Sequence, residues 1–245
     1  MRGLVAVAAF YACTCLTTPA TAEPPASGAH PGYELWSGID TTANATSVYA
    51  GFNLAPFTTL NSDGLRLRAV AGGGGYDYTA GVPFLGSPRH SRIHGRSAFV
   101  DLLVGYQWTV GPATLKAFAG GTWSEHTLSP FDPANDVFGE KFGVKAILEG
   151  WLNVTDRSWA SADLSFSTAH GDFSSRLRYG YRLMPKLSVG PEAGGYGNRE
   201  FTGGRIGAFA RYEWTRGEIA LSGGISGDIE QPDSPYATLN VVQKF

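Results

Sequence analysis

Residues 98–108 read AFVDLLVGYQW, and this stretch decides the fold class. Taking every second residue gives the apolar set Ala, Val, Leu, Val, Tyr and Trp, whereas the alternate set contains Asp101 and Gln107. A period of two indicates a β-strand with unlike faces. Strands in globular sheets average about 5–6 residues, whereas a strand that crosses a bilayer needs about 9–11. The stretch therefore predicts a membrane-spanning strand.

The same alternation recurs along the rest of the chain. In residues 138–153 apolar residues alternate with Lys and Glu, and in residues 174–183 Leu and Tyr alternate with Arg. Several of these runs are as long as the first one or longer. We expect twelve strands, near residues 33–41, 46–56, 64–77, 96–109, 113–126, 138–153, 158–169, 173–183, 186–197, 203–214, 218–227 and 236–245.

The lengths of the connections support closure into a barrel. Tight turns follow most even-numbered strands, as at residues 110–112 and 215–217, whereas the longest loops, residues 78–95 and 127–137, follow odd-numbered strands. Short turns at one end and long loops at the other are typical of outer-membrane barrels, and closure removes the exposed edges of an open sheet. The prediction is an all-β, closed, antiparallel, up-and-down transmembrane β-barrel with both termini on the short-turn, periplasmic side.

The composition excludes other classes of protein. The 245 residues include 19 Lys and Arg against 21 Asp and Glu, and 43% are hydrophobic, 13% aromatic and 16% charged. The balanced charge excludes a basic nucleic-acid-binding protein, and the aromatic content excludes a disordered chain. About a quarter of the residues of a soluble domain are charged. The lower fraction here indicates that part of the surface faces something other than water.

The chain divides into three segments. Residues 1–22 have a basic start, a short apolar run and an A-x-A cleavage site, which predict a signal peptide and an exported protein. Residues 23–32, EPPASGAHPG, predict a Pro-rich periplasmic linker. Residues 33–245 form the predicted barrel. Its last strand ends in Phe245, and this ending looks like the terminal signal that directs outer-membrane barrels to insertion.

If the apolar faces meet lipid, the charged faces line the lumen. Such charges either pair into a plug or line a narrow wet pore, because small barrels fill their interiors with side chains. The predicted lumen charge network comprises Arg66, Arg68, Lys141, Lys145, Glu149, Asp163, Arg176, Arg178, Arg182, Arg205, Arg211 and Glu213. Sugar rings stack on aromatic faces and bond to carboxylates, so the candidate glycan contacts in the lumen are Trp36, Asp40, Tyr49, Asp101, Phe118, Trp159, Glu192, Tyr196 and Phe209.

Other sites receive less support from the sequence. Ser124 and His126 share a strand face, but no residue is evident that would orient the histidine as a base, so a lipid acyl hydrolase is the third hypothesis and we expect no enzyme. His90 and His94 lack further clustered ligands, so we expect no metal site and no cofactor. The predicted loop at residues 78–95 is basic and is a candidate contact for lipopolysaccharide phosphates or an anionic polymer.

Several motifs resemble one known family. They are WSGID at residues 36–40, GGGYDY at 73–78, LSPFDPAN at 128–135, STA at 167–169 before SRLRYGYR at 175–182, and GPEAG at 190–194 before GNRE at 197–200. In this order they cover nearly the whole mature chain and are similar to the cellulose biosynthesis protein BcsS family of proteobacteria.

The resemblance implies an outer-membrane accessory of bacterial cellulose secretion. Such a protein would anchor the secretion system or assist glucan passage, in contact with outer-membrane lipid and lipopolysaccharide, and with cellulose or subunits of the cellulose synthase complex as partners. The family supplies a pathway but no reaction. The alternative that stays open is a small-solute channel or a structural outer-membrane barrel unrelated to cellulose.

Overall fold

The computed structural model describes residues 32–84, 87–227 and 234–245, and side chains outside 82–90. The predicted signal peptide, and the predicted linker apart from Gly32, lie outside the described residues. Within the described part of the chain there is no helix long and apolar enough to cross a membrane.

Twelve antiparallel strands form one closed barrel, which confirms the predicted fold class. Each strand pairs with the next in the sequence, and β1 pairs with β12 to complete the ring. No backbone edge is left in this ring, as a membrane requires. The strands are β1 Gly32–Thr42, β2 Ala45–Ala55, β3 Gly64–Phe84, β4 Ser87–Val110, β5 Ala113–Ser129, β6 Gly139–Thr155, β7 Ser158–Ser167, β8 Phe173–Met184, β9 Leu187–Gly197, β10 Thr202–Trp214, β11 Gly217–Gly227 and β12 Ser234–Lys244.

The prediction of a long loop at residues 78–95 is wrong. β3 and β4 continue through this region as a hairpin, with ladder pairs from Gly64–Gln107 to Phe84–Ser87. The Gly and Pro residues of the segment suggested a loop, but the two strands pair with each other beyond the point where β2 ends. The hairpin therefore projects past its neighbours at this end of the barrel.

The outer wall is apolar and the inner wall is polar, as the alternation predicts. On β4, Leu102 is 64% exposed whereas its neighbour Asp101 is fully buried. The same alternation of burial runs along β5, β10, β11 and β12. A belt of exposed Val, Leu, Ile, Phe and Tyr side chains consequently surrounds a polar and aromatic interior, which is the arrangement of a barrel in lipid.

Inward-facing rings lie flat against glycines of the adjacent strand. Trp36 pairs with Gly51 and Trp159 with Gly180 in the ladders, and a β-carbon at either glycine would lie 2.2 Å from the tryptophan ring. Phe118 lies against Gly105 in the same way. These glycines allow large rings to lie along the wall and fill the lumen.

The two ends of the barrel differ. The terminus end carries the start of β1, the end of β12 and the turns after even-numbered strands. There the Tyr33 and Phe245 rings stack with their centroids 4.8 Å apart. The turn between β2 and β3 also folds over this end, because Arg66 donates hydrogen bonds to Thr58 Oγ1 and to backbone carbonyls of that turn. The opposite end, called the loop end, carries the loops after odd-numbered strands.

Candidate functional site

The lumen is the candidate functional site, and ion pairs cross its interior. Arg205 on β10 donates to Asp40 on β1 at 2.6 Å, and Thr238 donates to the same carboxylate at 3.0 Å. Arg68 on β3 pairs with Glu149 on β6. Because β10 and β1, like β3 and β6, are not neighbours in the sheet, these two pairs reach across the lumen rather than along the wall.

Other pairs join strands that are neighbours in the sheet. Arg176 donates to Asp163 at 2.8 Å, and the two residues face each other directly in the β7–β8 ladder. Arg178 on β8 binds Glu192 on β9 at 2.5 Å. All four side chains are at least nine-tenths buried. Breaking such a buried pair leaves a charge without compensation, so these contacts hold adjacent strands in register.

Hydroxyl groups and further cations complete the network. Glu192 also accepts hydrogen bonds from Ser222 and Tyr236, at 3.2 and 3.1 Å. Asp101 accepts from Lys145 and from Thr122, both at 2.6 Å. Glu192 and Asp101 are thus surrounded by donors, which is how buried charge avoids a large desolvation cost.

Aromatic rings fill the space between the ion pairs. Trp151 and Trp159 stack with ring centroids 4.1 Å apart, and Arg211 lies 5.1 and 5.5 Å from the two rings. Arg211 also pairs with Glu218, and with Glu213 at 3.1 Å. A guanidinium over an indole face is a favourable cation–π contact. Near the terminus end, the lumen is therefore occupied by one layer of charges and rings.

The same cation–π contact recurs at three other predicted glycan-contact residues, Trp36, Phe118 and Phe209. The Arg68 guanidinium lies 3.7 Å from the Phe118 ring and 5.2 Å from the Trp36 ring. Arg178 lies 4.9 Å from the Phe209 ring. The faces of these three rings, which a sugar would need, are thus already covered by arginines.

Every predicted glycan-contact residue lies in the lumen. Each is buried, with the largest exposure 8% at Trp36, and each carboxylate among them is paired with a cation. A glycan contact at these positions requires the internal cations to move aside. The residues in question are Trp36, Asp40, Tyr49, Asp101, Phe118, Trp159, Glu192, Tyr196 and Phe209.

Three members of the predicted charge network lie at the ends of the barrel. Lys141 donates to the backbone carbonyl of Asp136 at the loop end, at 3.3 Å. Arg182 donates to Asn153 at 2.9 Å near the terminus end, and Glu213 is 25% exposed there. The other predicted members, Arg66, Arg68, Lys145, Glu149, Asp163, Arg176, Arg178, Arg205 and Arg211, are buried.

Sequence reasoning missed part of the lumen. Trp151 was not among the candidates, although it lies on the same strand face as Lys145 and Glu149, and this parity is visible in the sequence. Phe99 and Tyr76 were also missed, and both are buried. Their position follows from the same rule, because each lies an even number of residues from an inward-facing neighbour on its own strand.

Three loops close over the loop end. Tyr78 donates to Asp132 at 3.0 Å and accepts from Asn135 at 3.0 Å, which attaches the β5–β6 loop to β3. The backbone amide of Arg199 donates to the carbonyl of His170, which joins the β9–β10 and β7–β8 loops. These contacts cover an apolar cluster, so the lumen is capped as well as filled; its members are Ala45, Tyr76, Tyr78, Ile93, Leu128, Tyr196 and Phe201.

Burial shifts the pKa values of two ionisable groups of the β7–β8 loop toward their neutral forms. Burial raises the pKa of Asp172 to about 7, opposed by Lys145. Burial together with the Lys141 charge lowers the pKa of His170 to about 4.

Ser124 and His126, the candidates for acyl hydrolysis, are both buried inside the barrel. The Nδ1 atom of His126 lies 3.0 Å from the Tyr76 hydroxyl, and its ring makes an edge contact with His170 at 4.8 Å. Ser124 and His126 are each only 2% exposed. A lipid ester outside the wall does not reach these side chains, so the geometry does not favour this chemistry.

The sequence matches the model of one protein family over residues 34–245. This range includes all but the first two residues of the barrel. The chain belongs to the cellulose biosynthesis protein BcsS family. The match confirms the family to which the motifs pointed, and it makes this filled barrel a BcsS-type barrel. No curated protein matches the sequence.

Several solved structures are similar to this BcsS-family chain. The TodX deltaS2S3 mutant monoaromatic hydrocarbon channel has a TM-score of 0.53 at 8% identity, over 89% of this chain and 90% of that one. The Pseudomonas putida toluene transporter TodX has a TM-score of 0.49 at 10% identity, over 93% and 91%. The KdgM porin has a TM-score of 0.47 at 8% identity, over 86% and 99%. At these identities the likeness concerns the fold alone.

The ion pair across the lumen yields a first prediction. Arg205→Met leaves Asp40 buried without its cation, so we expect a loss of about 3–5 kcal/mol in the free energy of unfolding. The double variant Arg205→Met with Asp40→Leu removes both charges, and we expect it to recover most of that loss. Urea unfolding of the barrel in lipid vesicles, followed by tryptophan fluorescence, measures both values.

Arg216→Met, at an exposed position in the β10–β11 turn, is the matched control and should change the stability by less than about 0.5 kcal/mol. If the single variant at Arg205 behaves like this control, the pair does not brace the lumen.

Proposed function

We propose that this protein is a closed, non-catalytic outer-membrane barrel that anchors or organises the cellulose synthesis and secretion system. Membership of the cellulose biosynthesis protein BcsS family supports the pathway. The continuous apolar outer wall supports a place in a membrane. In this proposal the barrel is a platform, and its ends and outer wall rather than its lumen make the functional contacts.

The filled lumen is the observation that carries the proposal. Arg68, Arg178 and Arg211 each sit over a ring inside the barrel and are paired with a carboxylate. A glucan chain needs a continuous polar path with accessible aromatic faces. Opening such a path would separate several buried ion pairs at once, and each costs about 3–5 kcal/mol to break. This cost favours anchoring over glucan passage and over a small-solute channel.

The direction of the barrel in the membrane is a further part of the proposal. The terminus end faces the periplasm, and the loop end, with its projecting β3–β4 hairpin, faces the cell exterior. Four of the five connections at the terminus end are two-residue turns, whereas the connections after β5, β7 and β9 at the loop end are four to nine residues long. This difference supports the direction, because outer-membrane barrels share it.

Conductance separates a platform from a channel. In planar bilayers we expect the wild-type barrel to pass no stable ionic current, since charges and rings occupy the lumen. The triple variant Trp151→Ala, Trp159→Ala and Arg211→Ala removes only one layer, and we expect it to pass no stable current either, because the remaining ion pairs and the loops over the ends still block the lumen. The triple variant Leu102→Ala, Val104→Ala and Tyr106→Ala, on the outer face of β4, is the matched control and should stay silent.

Measurement of secreted cellulose in cells separates anchoring from glucan passage. Deletion of the gene should lower secreted cellulose, and the doubly substituted Arg205→Met, Asp40→Leu barrel should restore it as well as the wild type does. Porin-like current through the wild type contradicts the closed platform. Failure of the folded double variant to restore cellulose supports contact between glucan and the lumen instead.

Orientation is tested with single cysteines, since the described residues contain none. Ala134→Cys lies in the exposed β5–β6 loop, and Thr215→Cys in the exposed β10–β11 turn. A membrane-impermeant maleimide should label Ala134→Cys in intact cells and Thr215→Cys only after the outer membrane is opened. The reverse pattern contradicts the proposed direction.

A further inference from the structure

The outer wall carries two grooves, one above the other, on β2–β5. The upper one, the polar groove, has a volume of about 450 Å³ and is lined by residues 42–46, 75–77 and 94–96. It lies at the step where β2 ends and the β3–β4 hairpin continues. The lower one, the apolar groove, has a volume of about 420 Å³, and its lining includes Phe52, Ala69 and Leu102.

The polar groove sits where lipid headgroups are expected. The outer face of β4 changes from basic at Arg92, His94 and Arg96 to apolar from Ala98 to Trp108. The apolar part extends over five two-residue steps, or about 34 Å along the strand, which corresponds to about 25 Å of height at the usual tilt. This height equals that of the apolar band of an outer-membrane barrel, so the basic residues begin at the upper edge of the band.

The charge of the polar groove suits an anion. Asp77 is the carboxylate in its lining, and it is shared between Arg92, at 2.9 Å, and His94. Arg96 is exposed and, among the residues that the structure describes, makes no ion pair. The nearest further outward acid is Glu125 on β5, which faces Ala98 in the ladder, one two-residue step below Arg96. Arginine is the side chain best suited to bind phosphate oxygens.

Small residues on β3, between the exposed Val48 and Val100 side chains, indicate a shallow depression between the two grooves. Between them the outer face of β3 carries only Ala71 and Gly73, and the ladder partners of Ala71 are Ala50 and Val100. From Gly75 to Ala69 the depression runs for about 20 Å along the strand. At the usual tilt this corresponds to about 15 Å of height, which is half of the hydrocarbon thickness of a bilayer.

We propose that this wall holds one anionic membrane lipid, with its phosphate on Arg96 and His94 and one acyl chain in the apolar groove. A free anion would use only the upper groove, and an uncharged lipid only the lower one. Because the two grooves lie along the same strand, β3, they favour a ligand that has both an anionic group and an acyl chain. The inference requires a barrel in a membrane but does not depend on a role in cellulose secretion.

Native mass spectrometry of the detergent-solubilised barrel tests the site with three probes: a phosphatidylglycerol, a phosphatidylcholine with the same acyl chains, and inorganic phosphate. We expect phosphatidylglycerol to bind more tightly than either of the others. Arg96→Gln with His94→Gln should weaken its binding about tenfold, the scale expected when charge-assisted hydrogen bonds to phosphate are lost.

Two further variants identify the parts of the ligand. Ala71→Phe fills the depression, so it should weaken phosphatidylglycerol binding without changing that of inorganic phosphate. Arg216→Gln, an exposed arginine at the terminus end, should leave all three affinities unchanged. Heat-dependent gel mobility verifies that each variant keeps the barrel.

Three results would overturn the proposal. The first is equal affinity for the two lipids. The second is an equal loss of phosphatidylglycerol affinity in Arg216→Gln and in the Arg96→Gln, His94→Gln variant. The third is a phosphatidylglycerol affinity that Ala71→Phe does not change. Binding of inorganic phosphate as tight as that of phosphatidylglycerol would assign the polar groove to a free anion instead.

Discussion

Because lipid surrounds the outer wall, the charged side chains of this barrel face inward, where most of them pair with one another. A bilayer offers no water to charged groups or to unpaired backbone, so the ladder must close on itself and the ions must face inward. Once they face inward in a narrow barrel, they meet each other. Asp40 with Arg205 and Arg68 with Glu149 span the lumen, while Asp163 with Arg176 joins adjacent strands. The filled lumen is thus a direct consequence of the apolar wall.

A barrel filled in this way presents its chemistry at its surfaces. The rings of Trp151 and Trp159 and the caps at both ends make the interior a packed core, comparable to that of a small soluble barrel. The variable surfaces that remain are the loop end, the terminus end and the outer wall. This distribution fits the proposed role of a membrane platform in the pathway that gives the family its name.

The sequence predicts the walls of this barrel better than its interior or its loops. Alternation decides which way each side chain points, and on that ground Trp36, Phe118 and Arg211 were assigned to the lumen, where the structure places them. A period of two does not reveal which residue lies opposite across the cylinder: Asp40 and Arg205 are 165 positions apart. The extension of the β3–β4 hairpin through residues 78–95 was missed because its Gly and Pro residues are typical of loops, although its strands pair with each other.

The most direct test of the account is the accessibility of nitroxide labels along β4 in lipid vesicles. Labels at Val100, Leu102 and Val104 should collide with dissolved oxygen and not with a water-soluble nickel chelate, while labels at Leu103 and Gln107 should collide with neither. Collisions of the chelate with the inner positions would show a water-filled lumen. Collisions of the chelate with the outer positions would show that the apolar wall does not face lipid, and either result would contradict the account.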